Sequence, residues 1–257
     1  MTTKSLRSDE IQTKQTSFQE QAKKLLLVEI PTRITEKYFR YEELFETENQ
    51  IHERLDYVIS LLPRYVLDTI NKSEATLNFA TRVEGKNEGI KGDMRNAHGC
   101  FERTTKRCYI FPRKNRKDRF FVNKKKFLAA GHSLDEFFEV STPCGREVWD
   151  FSVVHELSHA FCNANQFRIL NKYEKRVEKI DKHEGKEIGV ICRIAEKDIE
   201  EDFCEIFEFY AKNRKLVNSA LKNNESWIDN RLKVRFEFMK KEVWGKNPRH
   251  PIYIRAD

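Results

Sequence analysis

The chain has 257 residues, 39% of them hydrophobic and 12% aromatic, with 48 Lys and Arg against 41 Asp and Glu. Such a length and composition can bury a sizeable core and exclude wholesale disorder, while 35% charged residues imply a heavily solvated exterior. No apolar run approaches the roughly 18–20 residues that span a bilayer, the best early one being Leu25-Leu26-Leu27-Val28, so no membrane insertion is expected.

The net charge of +7 is unevenly distributed. Between Arg103 and Lys126 there are eleven Lys or Arg and one acid, Asp118, which concentrates +10 in that stretch and leaves the remainder, with 37 bases and 40 acids, at −3. The first 24 residues are polar, so the sequence predicts a cytoplasmic location, with delivery to another cell left open. Six Cys without a CxxC pair fit reduced thiols better than a zinc ribbon or a disulfide framework.

In chain order, residues 1–28 read as a flexible polar tail, and 29–244 as a single domain of the α+β class. Residues 35–71 carry apolar side chains at helical spacing, with a break at Pro63. The region 75–128 is expected to hold the sheet: Thr76 to Thr81 is strand-like, and Gly99 to Pro112 reads as two short strands about a Thr-rich turn. A helix is predicted over 146–165, where Trp149, Val153, Leu157 and Phe161 form an apolar stripe. A polar connection follows, then helices near 195–214 and 225–244, and a tail over 245–257.

The most informative residues are His155-Glu156-Leu157-Ser158-His159, an H-E-x-x-H pattern inside the predicted helix. Four-residue spacing puts both imidazoles on one face, where two neutral rings can grip a Zn2+ ion. Glu156, one residue on from the first ligand, suits a general base that takes a proton from a metal-activated water. A third ligand is expected from Glu201-Asp202-Phe203-Cys204-Glu205-Ile206-Phe207. Glu201 and Glu205 share a helix face, so one can ligate while the other accepts the remaining ring N–H of a ligating His. The alternative for this segment is a solvated acidic helix start, and His183 in a polar loop is the rival ligand.

HELSHAF followed by EDFCEIFEFYA resembles the gluzincin metallopeptidases, and more specifically the catalytic domain of the anthrax lethal factor-like group. AHGCFERTTKRCYIF is similar to the glycine-led hairpin that precedes the active-site helix there and forms a substrate-binding edge. The resemblance covers about residues 60–244. It implies a zincin-like domain with a small mixed sheet, an active-site helix and a C-terminal helical part, and a zinc metalloendopeptidase activity. By position it implies His155, His159 and Glu201 as zinc ligands, Glu156 as general base, and Glu205 as the carboxylate behind a ligand. That group places an oxyanion-stabilising Tyr seven residues before the glutamate ligand, where this chain has Ile194. Arg193, Tyr173, Tyr210, His183 and His250 are candidate substitutes. A looser resemblance links the HExxH and His183-Glu184-Gly185 to the SprT-like proteases, which act on DNA-associated proteins, with His183 then the third ligand.

The basic stretch 103–126 interleaves Tyr109, Phe111, Phe120, Phe121 and Phe127 with its cations, a composition suited to nucleic acid and equally to a solvated surface whose aromatics face the core. The expected partner is a protein or peptide substrate. If the stretch borders its path, Arg103, Lys106 and Arg107 would select acidic residues near the scissile bond. A nucleic-acid-binding protein with a structural or degenerate zinc site is the contrasting class.

Overall fold

The structure is a computed structural model that describes residues 27–29, 57–79, 99–110, 122–141, 148–184 and 198–245. Helices predominate, and four short strands form one mixed sheet, so the chain is of the α+β class. Residues 35–56 of the expected helical part and nearly all of both tails lie outside the described residues.

The sheet runs β1 (Leu27–Glu29), β2 (Thr76–Phe79), β4 (Arg107–Ile110), β3 (Gly99–Glu102) from edge to edge. β1 pairs with β2 and β2 with β4 in parallel, whereas β3 returns antiparallel on β4, with Gly99 opposite Ile110 and Glu102 opposite Arg107. The turn 103–106 closes that hairpin with Lys106 in the left-handed region, φ 57°. β1 begins two residues inside the segment read as tail. Leu77, Cys108 and Ile110 on the central strands are fully buried, as period-two strands facing a helical layer require.

Pro63 N-caps α1 (Arg64–Lys72), which buries Val66, Leu67 and Ile70. α2 (Lys124–Ala129) begins inside the region expected to hold the sheet, and α3 (Leu134–Ser141) follows beyond it. Their anchor is Phe127, stacked on His132 at 4.2 Å between centroids and edge-on to Trp227 at 5.3 Å. Both His132 Nε2 and Trp227 Nε1 meet Glu225 Oε2 at 2.7 Å, which pins this corner to the turn after the long helix.

α4 (Val148–Ala164) lies across β3 and β4 and packs on α1 and on α6 (Ile199–Asn223). Its expected single apolar stripe is broader in the structure: Val153, Val154, Leu157, Ala160, Phe161 and Cys162 are all buried, because sheet and helices cover it on several sides. The expected polar connection after it is instead α5 (Arg168–Glu184), with Ile169, Leu170, Tyr173 and Val177 buried. α7 (Asn230–Phe238) continues into a π-helical turn, Met239–Val243, and Trp244 then packs on Phe207 and Tyr210 at 4.9 Å each.

A buried ionic knot joins α5, α6 and α7. Arg235 Nε donates to Asp202 Oδ2 at 2.9 Å, its Nη2 meets Asp181 Oδ2 at 3.1 Å, and Tyr173 Oη donates to Asp202 Oδ2 at 2.9 Å. Asp202, so far from water, needs such partners, and Asp181 closes the knot from a partly exposed position. The knot fixes the azimuth of α6 around its own axis, and with it the direction in which the neighbouring glutamates point.

Candidate metal centre

Asp198 N-caps α6, its side chain accepting from Glu200 N at 2.7 Å, and the helix then carries Glu200, Glu201 and Asp202 in its first turn, where the helix dipole favours negative charge. The carboxylates are not the solvated surface that such a start permits: Glu200, Asp202, Glu205 and Glu208 are all buried. Glu201, Glu205 and Glu208, at i, i+4 and i+7, face α4.

There they meet the two histidines. His155 Nε2 and His159 Nε2 are 3.3 Å apart, Glu201 Oε2 is 3.3 Å from the first, and Glu201 Oε1 is 3.5 Å from the second. Nitrogens held at about 2.0–2.1 Å on a tetrahedral zinc stand about 3.3 Å from each other. Two imidazoles and one carboxylate also make the donor set that zinc takes in catalytic sites, so the residues fit the ion. Among the described residues a second group able to hold a metal is His155 with Glu205 and Glu208, which lies behind the first.

The outward nitrogens of both rings face carboxylates. His159 Nδ1 is 2.8 Å from Glu200 Oε1, while His155 Nδ1 faces Glu208 Oε2 at 3.4 Å and Glu205 Oε1 at 3.8 Å. Glu205, the carboxylate expected there, thus lies at the outward nitrogen of His155, but Glu208 is nearer, and the sequence points to neither Glu208 nor Glu200 as a partner of a ring. The missing signal was available only in part. Glu208 is one heptad from Glu201, whereas Glu200 reaches His159 from the adjacent position at the helix start.

Burial would lower the pKa of both imidazoles, yet both are raised well above their ordinary value: His155 by Glu201, Glu208 and Glu205, and His159 by the Cys204 sulfur together with Glu200 and Glu201. Burial would likewise raise Glu201, but hydrogen bonds from the two rings hold it well below the usual carboxylate range. Glu156 behaves oppositely. Burial pushes it up to about 7, with only partial relief from His155 and His159.

Glu156 is also the residue that the sheet edge touches. A Cβ built at Gly99, the first residue of β3, would stand 2.5 Å from Glu156 Oε1 and 2.6 Å from its Cγ, so only glycine lets the strand pass so close. One strand over, Cys108 Sγ lies 3.5 Å from the Glu156 carbonyl oxygen.

The remaining expected residues are placed differently. Arg103 Nη2 is spent on Glu200 Oε2, and Arg107 Nη1 lies 3.5 Å from Tyr109 Oη. His183 falls in the last turn of α5 rather than in a polar loop, and its side chain is outside the described residues, as are Arg193, Ile194 and His250. Tyr173 and Tyr210 point away from the metal centre, donating to Asp202 and to Asn218 Oδ1. Of the basic stretch, Phe127 packs in the core and Tyr109 is buried on the face of β4 opposite to Cys108 and Ile110, which withdraws both rings from any base-stacking surface; residues 111–121 lie outside the described residues. Cys100 and Cys108 are free thiols in offset register, Cys100 opposite Tyr109 and Phe101 opposite Cys108.

Comparison with models of known protein families, with curated proteins and with solved structures finds no match for this chain.

Proposed function

We propose that this protein is a zinc-dependent metalloendopeptidase with a zincin-like domain of the gluzincin kind, in which His155, His159 and Glu201 hold one Zn2+. The observation that carries the proposal is the convergence of those three side chains from two helices, with their donor atoms all within 4.8 Å of one another. A bound zinc would supply the Lewis acidity that activates a water and polarises a carbonyl oxygen.

The chain's own residues provide the rest. Glu156, buried beside the site and pushed up to about 7, accepts the proton of the attacking water and returns it to the leaving amine nitrogen near neutral pH. Glu200 and Glu208 hold the two imidazoles in the orientation that aims Nε2 inward. Gly99 sets the distance between the sheet edge and Glu156, leaving an extended peptide chain able to lie beside β3. The substrate on this reading is a protein or peptide, and Lys106 near the same hairpin favours acidic side chains in it.

Glu156→Gln keeps the ligands and removes the base. Metal analysis should find about one zinc per chain in both proteins, with proteolysis abolished in the variant. A wild-type protein that takes up no zinc overturns the proposal.

A further inference from the structure

Arg103 sits on the turn between β3 and β4, its side chain 60% exposed, and reaches across to Glu200 Oε2. The other oxygen of that carboxylate meets His159 Nδ1 at 2.8 Å, and Glu200 itself is only 9% exposed by its side chain. The guanidinium carbon also lies 5.2 Å from the centroid of the Phe167 ring. Phe167 and Gln166 both adopt left-handed backbone, φ 57° and 50°, in the tight reversal between α4 and α5. Two successive non-glycine residues in that region are strained and persist only where surrounding contacts over-determine them. The guanidinium is thus held between a carboxylate and a ring.

We infer that Arg103 is a positioning residue for the metal centre: it orients the Glu200 carboxylate on His159 Nδ1 and so ties the β3–β4 turn to a metal ligand. The inference rests on the reading of His159 as a ligand. Its physical content is a division of labour between the two Glu200 oxygens. With Oε2 engaged by Arg103, Oε1 is directed at the ring, which keeps the proton on Nδ1 and the lone pair on Nε2. Without the cation, nothing on the hairpin holds the carboxylate, and it can swing towards water. Because Arg103 is largely exposed, solvent screens its charge. Its contribution is therefore orientation of Glu200, and its loss costs less than loss of Glu200. Arg103 is also one of the residues expected beside the substrate, and in the structure its Nη2 meets Glu200.

The same hairpin touches the site a second time, through Gly99 on Glu156. The strand that flanks the general base and the turn that braces the ligand are one four-residue unit apart, so a displacement of the hairpin reaches the ligand and the base together.

The test is a double-mutant cycle on the full chain: wild type, Arg103→Met, Glu200→Gln and the double variant, with Arg103→Lys as the conservative control. Zinc affinity is read by competition with a chromogenic chelator and ligand geometry by the visible absorption of the Co2+ form. Glu200→Gln is expected to weaken zinc binding about 10–100-fold and Arg103→Met about 3–10-fold, a part of the same range. Arg103→Lys should recover part of the loss, and the Co2+ spectrum should shift in Arg103→Met. In the Glu200→Gln background, Arg103→Met should add nothing. Wild-type affinity and spectrum in Arg103→Met overturn the inference, as does an undiminished loss in the Glu200→Gln background, which would mean that Arg103 acts by folding the hairpin. A wild-type chain that binds neither zinc nor Co2+ overturns the functional reading itself, a result distinct from both.

Discussion

Two charge clusters lie on different faces of one helix, and they are built differently. Behind α6, Asp202 and Asp181 share Arg235 and the Tyr173 hydroxyl, with Arg231 Nε 4.0 Å from Asp181, so anions and cations are matched. On another face, Glu156, Glu200, Glu201, Glu205 and Glu208 lie about two imidazoles, and Glu200 also meets the Arg103 guanidinium. A buried carboxylate needs compensation worth several kcal/mol, and among the described residues an arginine supplies it on one face of α6 and the His155 and His159 rings on the other. The matched cluster holds the fold; the histidine-lined one has the donor groups that could hold a divalent cation.

The largest effect that could break this contrast is on the ligand. Glu201→Ala should weaken zinc binding by more than the ~10–100-fold typical of groups behind a ligand, and His183→Ala should leave it unchanged. Equilibrium dialysis of both variants decides; equal retention would mean that the ligand set is wrong, and loss in His183→Ala alone would favour the SprT-like arrangement. Next in size is the matched cluster. Arg235→Met strands Asp202 and Asp181 and should cost about 3–5 kcal/mol of stability, seen as a lower denaturation midpoint with or without zinc. The contrast predicts no metal-dependent component in that loss, whereas a chelator should lower the melting temperature of wild type but not of Glu201→Ala.

A smaller effect is expected from Gly99→Ala. The added methyl displaces the Glu156 carboxylate, and a shift near 1 Å in a catalytic group costs about 100-fold in rate. Steady-state kinetics should place that loss in kcat, with zinc content unchanged. The smallest is a pH dependence. Both imidazoles have raised pKa values, so each holds its proton to a higher pH than a free imidazole does and a metal competes with that proton. Zinc affinity should therefore rise with pH, by up to about tenfold per unit for each proton released, until the raised pKa values are passed. Titration calorimetry in two buffers of different ionisation enthalpy counts those protons, and a pH-independent affinity would remove the claim.

Much of the candidate site was legible because its spacing is local. HExxH places two rings on one face of a helix whatever the rest of the chain does, and Glu201 with Glu205 repeats the same geometry on the next helix. The Gly99–Glu102 and Arg107–Ile110 strands and the break at Pro63 were legible for a similar reason, since each depends on neighbours in sequence. Three things were not. α5 was hidden because Ile169, Leu170, Tyr173 and Val177 make a narrow stripe among Lys, Arg, Glu and Asp, and only the surface of α6 and α7 gives that stripe something to bury against. The short helix α2 starts where a basic run suggested strand and loop, and it is held by Phe127 against Trp227, a partner one hundred residues away. The partners of Arg103 and Glu200 are 97 residues apart in sequence, so their pairing follows from the placement of the hairpin against α6 and from nothing in either segment alone.

The start of α6 carries a further consequence for how this sequence can change. Successive positions there serve different neighbours: Glu200 meets His159 and Arg103, Glu201 both Nε2 atoms, Asp202 the arginine behind the helix, and Glu205 and Glu208 His155. One residue inserted between the Asp198 cap and Glu205 would rotate everything before it by about 100° relative to everything after it. Substitutions can be absorbed one neighbour at a time, but a change of length cannot. The segment from Asp198 to Glu208 should therefore accept point mutations graded by position and refuse every single-residue insertion or deletion.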